Sequence, residues 1–176
     1  MNNETFPENS ASFLTALFKN PQNAENIYND LLKKGYKKED ITLMMSDEVQ
    51  KKFFSSGSAS ENVMGTKTLQ GLGVGGAVGG TVGAIAAALA AAGTSLVIPG
   101  LGIVVAGALA ASLAGAGAGA AAGGLVGALV GAGIPEAEVK NYEEGIKGGG
   151  VVIGVTPLTS NDYVQFKEEW KSYSEE

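Results

Sequence analysis

The sequence predicts an α+β fold: a small three-stranded sheet with covering helices, interrupted by a long Gly/Ala-rich antiparallel helical hairpin. Three observations carry that expectation. No ionisable side chain occurs between Lys67 and Glu136. Within that block, glycines recur at every fourth residue. On either side of it, short apolar runs alternate with stretches whose apolar residues are spaced three and four apart. The expected units are residues 1–63 as the first half of the α+β domain with its linker, 64–134 as the hairpin insertion, and 135–176 as the second half.

The first flank reads as strand, helix, strand. Residues 12–18 are short, apolar and bounded by turn formers. Asn20-Pro21 then supplies a cap and a proline at the first helical position. Ala24, Ile27, Tyr28, Leu31 and Leu32 share one helical face, and Gly35 closes the helix. Residues 41–45 form the second strand, and the small polar run 55–60 reads as a flexible joint.

The second flank reads as helix, strand, helix. Pro135 opens a helix with Val139, Tyr142 and Ile146 on one side, and Gly148-Gly149-Gly150 closes it. Residues 151–155 are almost continuously apolar, which predicts a central strand covered on both faces. Ser160 caps a last helix with an aromatic stripe of Tyr163, Phe166, Trp170 and Tyr173. Aromatics at helical spacing pack into cores more often than they bind ligands. Neither flank closes a core alone, so the two are expected to fold together.

Between the flanks, Gly71, Gly75, Gly79 and Gly83 make one four-residue series. Gly115, Gly119, Gly123, Gly127 and Gly131 make another, with Gly107 in phase. On a helix such a series is a ridge without side chains, against which a second backbone packs closely. Pairing Gly71 with Gly131, Gly75 with Gly127, Gly79 with Gly123 and Gly83 with Gly119 centres an antiparallel hairpin on Leu101. The turn is expected within 93–102, where Pro99-Gly100 breaks the helix. Leu96, Val97, Ile98, Pro99 and Leu101 then form an apolar tip, and an exposed apolar end marks an interaction surface.

Composition excludes much chemistry. The 176 residues include no His and no Cys, and every basic residue is Lys. An imidazole base, a thiolate nucleophile and the usual zinc or haem ligands are therefore missing. Without Arg, and with a net charge of −6, nucleic acid is not an expected partner. Residues 71–76 satisfy the GxGxxG dinucleotide pattern, but no strand precedes them and no acidic residue follows until Glu136. Gly65-Thr66-Lys67-Thr68 lacks the rest of a phosphate loop. The pairs Asp47-Glu48 and Glu143-Glu144 read as solvated helix faces. No enzyme activity, cofactor, metal or small-molecule substrate is expected. The start of the chain lacks a basic, apolar export signal, so a cytoplasmic location is expected.

Several blocks resemble the bacterial general stress or low-temperature-induced proteins, related to the YflT-type heat-induced stress domain. They are Ala24-Glu25 with residues 31–36 (Leu-Leu-Lys-Lys-Gly-Tyr), residues 98–102 (Ile-Pro-Gly-Leu-Gly), the Gly/Ala run 114–125, and residues 133–136 (Gly-Ile-Pro-Glu) leading to Tyr142 and Gly148. The resemblance implies a stress-linked protein without catalytic residues. Together these readings predict a stress-associated structural protein whose hairpin mediates inner-membrane association and self-assembly. The alternative is a homo-oligomeric scaffold with hairpins buried between subunits.

Overall fold

A computed structural model describes residues 13–54, 83–92, 95–98, 102–111, 126–127, 129–131 and 134–174. Its centre is an antiparallel sheet of five strands in the order β1-β5-β2-β4-β3. The strands are β1 (Leu14–Phe18), β2 (Ile41–Ser46), β3 (Ser95–Ile98), β4 (Ile103–Ala106) and β5 (Val151–Val155). The helices are α1 (Pro21–Lys33), α2 (Asp47–Phe53), α3 (Ala84–Ala92), α4 (Glu136–Lys147) and α5 (Ser160–Ser174).

Local chemistry explains where these elements start and stop. The Asn20 side chain accepts from Gln22 N–H at 2.9 Å, and Pro21 occupies the first turn of α1. The helix closes with Tyr36 N–H donating to Leu31 C=O at 3.1 Å and Gly35 N–H to Leu32 C=O at 3.1 Å. Helix α2, which sequence periodicity did not reveal, follows β2 without a loop because Ser46 Oγ accepts from Val49 N–H at 3.2 Å. Thr159, one residue before the expected cap, starts α5: its hydroxyl accepts from Asp162 N–H, while Asp162 accepts from Thr159 N–H.

Strand β5 pairs with β1 on one side and β2 on the other, and all five of its residues are buried. That is the central position its apolar run predicts. Alternation sends Phe18, Leu43, Met45, Val104, Val151 and Ile153 to one face, under α1, α3 and α5. It sends Met44, Ile103, Val105 and Val152 to the other, under Val139, Tyr142 and Ile146 of α4. Phe166 and Trp170 of the aromatic stripe stack at 5.6 Å, and Trp170 meets the Phe18 ring edge-on at 6.0 Å. The stripe is core.

The three-stranded expectation is corrected: the sheet has five strands. The two additional strands come from the uncharged block. Leu96, Val97 and Ile98 lie in β3, Val104 and Val105 in β4, and β4 pairs with β2 from Leu43↔Ala106 to Ser46↔Ile103. The expected apolar tip of a helical hairpin is therefore a β-hairpin joined to the sheet. β-branched residues on both sides of the Pro99-Gly100 sequence favour that outcome. Pro99 and Leu101 fall outside the described residues.

Gly107 also has a role other than a zipper position. Its φ is +82°, and a Cβ there would lie 1.8 Å from the Ile41 carbonyl oxygen. The glycine lets the chain leave β4 against the start of β2, where Leu109 N–H donates to the buried Thr42 hydroxyl at 3.1 Å.

Candidate interaction surfaces at the sheet edges

Three places combine polar or apolar groups in ways that core packing alone does not require: the α1–α3 junction, the β3 edge and the β1 edge.

At the α1–α3 junction, Glu25 is buried on α1 with only 3% of its surface exposed. Its Oε1 accepts from the N–H groups of Gly83, Ala84 and Ile85 at 3.0, 2.6 and 3.3 Å. A carboxylate thus satisfies the free donors at the N-terminus of α3, where the helix dipole also favours negative charge. Gly83 reaches this position at φ +117°. Burial raises the carboxyl above its ordinary pKa, and the backbone donors oppose that shift. Glu25 Oε2 and the buried Tyr28 hydroxyl have no hydrogen-bond partner among the described residues. Burial also drives the Tyr28 hydroxyl pKa upward, reinforced by the negative charge of Glu25.

Strand β3 has one neighbour in the sheet, β4, and its other edge is unpaired among the described residues. Leu96 is 40% exposed and Val97 52%. No charge lies in this hairpin.

At the opposite end, a groove of about 640 Å³ is lined by every residue from Phe13 to Leu17. Successive side chains of a strand point to opposite faces. A groove touching all of them must therefore run along the backbone edge of β1. One wall is Glu138, Asn141 and Tyr142 of α4; the other is Tyr163, Lys167, Trp170 and Lys171 of α5. The Tyr142 hydroxyl lies 2.9 Å from Thr15 Oγ1. It is within donating reach of the Thr15 carbonyl (3.4 Å) and the Glu138 carboxylate (3.5 Å). Burial raises its pKa, which keeps it protonated as a donor.

The glycines expected to form facing ridges are only partly placed. Gly71, Gly75, Gly79, Gly115, Gly119 and Gly123 lie outside the described residues, and so does the register that pairs them. Gly83 caps α3 against Glu25. Gly127 and Gly131 are exposed, with nothing within 4 Å of the position of a Cβ. Between them Leu129 is buried beneath the sheet. Leu129 faces inward and the two glycines outward, and their expected partners, Gly75 and Gly71, lie outside the described residues. Sequence reasoning missed Glu25, although it lies in phase with Tyr28 and Leu32 on the apolar stripe of α1.

The expected membrane association is likewise corrected, along with the lipid partner and the inner-membrane location. Among the described residues no helix is long and apolar enough to cross a membrane. Helix α3, the longest described helix of the uncharged block, has nine residues. It spans about 14 Å, against a hydrocarbon core of roughly 30 Å. No family model, curated protein or solved structure matches the chain. The comparisons therefore give no support to the stress-linked role that the resemblance implied.

Proposed function

We propose that this chain is a non-catalytic scaffold that assembles with copies of itself by pairing the outer edge of β3 with the same edge of a second copy. The observation that carries the reading is the half-exposed Leu96-Val97 pair on a strand edge that is unpaired among the described residues and bears no charge. Proteins that stay monomeric blunt such edges with lysine, proline, bulges or covering loops. Here the hairpin carries none of the first. The chain's net charge of −6 would hold copies apart at most other surfaces. The uncharged edge is where two copies meet without that repulsion. The non-catalytic part of the reading rests on the residue types: no His, Cys or Arg is present.

Light scattering on a sizing column tests this directly. At tens of micromolar protein the native chain should elute as a multiple of its 17.7 kDa mass, and Val97→Lys as a single chain. Native protein at the single-chain mass would overturn the proposal.

A further inference from the structure

We infer that the groove along β1 is a docking site for an extended peptide segment with acidic side chains on alternate residues, which adds to the sheet as a sixth strand. Three observations lead there. The outer edge of β1 pairs with nothing among the described residues, and alternate residues of an edge strand direct N–H and C=O outward. The groove follows that edge over five consecutive residues, 13–17. Its walls come from helices on opposite faces of the sheet, α4 and α5, so the space between them takes a strand rather than a helix.

The charges on the walls select the occupant. The α5 wall presents Lys167 and Lys171, and the α4 wall presents Glu138. Lys167 is exposed, with its ammonium 5.9 Å from the Tyr163 ring centroid. A strand lying in the groove points every second side chain toward α5. A carboxylate at such a position meets the exposed Lys167, while the intervening residues meet Leu17, Asn141 and Tyr142. A second copy of this chain fits poorly. Antiparallel pairing of β1 with its own copy, around an axis perpendicular to the sheet, sets α5 beside α5 and α4 beside α4. Lysines would then face lysines and Glu138 would face Glu138.

Trp170 lines the groove and is the only tryptophan, so its fluorescence reports on the site. The probes are the capped peptides Thr-Val-Glu-Val-Glu-Val-Thr and Thr-Val-Lys-Val-Lys-Val-Thr, titrated into the native chain and into Val97→Lys. The second protein removes any contribution from assembly through β3. The expected result is a saturable change with the glutamate peptide, about five-fold tighter than with the lysine peptide. Lys167→Glu should reverse that preference. Two further glutamate peptides, N-methylated on odd or on even residues, separate main-chain pairing from side-chain contact: only one of them should lose binding. The proposal is overturned by no saturable change, by equal binding of both methylated peptides, or by a preference that Lys167→Glu leaves unchanged. A Trp170 signal that depends on protein concentration alone in Val97→Lys would assign the groove to a second copy instead, and would equally overturn it.

Discussion

Glu25 shows how one side chain can tie the uncharged block to the rest of the molecule. Its carboxylate takes three backbone donors from the start of α3, 58 to 60 residues away in sequence. Removing the acceptor leaves one buried and two part-buried donors without a partner, and Glu25→Ala should destabilise the chain by about 1–3 kcal/mol in urea unfolding. The pH dependence has a definite sign. Desolvation raises the folded-state pKa, so the folded chain holds this proton more tightly than the unfolded chain. The stabilising contribution is complete below the unfolded-state pKa and is lost as pH rises through the folded-state value. Native protein should therefore lose stability relative to Glu25→Gln as pH rises above the ordinary carboxylate range. If the native chain gained on the Gln variant instead, the three N–H donors would outweigh desolvation. At Gly107, both the positive φ and the contact with the Ile41 carbonyl oppose any side chain. Gly107→Ala should cost about 3 kcal/mol or more, read as a lowered urea midpoint.

The elements divide into those that local pattern specifies and those it does not. Strands β1, β2 and β5 and helices α1, α4 and α5 were legible because each has its own apolar period and its own cap. Asn20-Pro21 and the apolar run 151–155 are examples. Strands β3 and β4 have only four residues each and sit in a block whose glycine spacing predicts helix. Their identity comes from β2, whose free edge accepts β4 in the register Met44↔Val105. That partner is about sixty residues away, beyond what a window of periodicity reads. Helix α2 escaped notice because its seven residues bury only Val49. The edge groove was hidden for a different reason. Val139, Tyr142 and Ile146 of α4 and Phe166 and Trp170 of α5 do pack as core, and the open space between the helices arises because β1 is the outermost described strand. At the β3 edge a single charge should be enough to block pairing. Val97→Lys should weaken self-association at least about tenfold, while changing chain stability by no more than about 0.5 kcal/mol.

Over the whole molecule, charge and sheet order are arranged in opposition. The end of the sheet at β1 carries the charged helices α4 and α5, and the end at β3 belongs to a stretch of chain with no charge at all. Joining two copies through β3 keeps their charged helices α4 and α5 far apart. Added salt screens the remaining repulsion. Assembly should therefore strengthen modestly between low and moderate salt in sedimentation runs, whereas weakening would implicate ion pairs at the interface. The most direct measurement is amide hydrogen exchange across Ser95–Ile98 and Ile103–Ala106 at two protein concentrations. The β4 amides should be protected at both, because β4 lies between β2 and β3. The outward β3 amides should exchange quickly in dilute protein and become protected when it is concentrated. Rapid exchange throughout β4 would contradict the five-stranded sheet, and β3 exchange indifferent to concentration would contradict assembly through its edge.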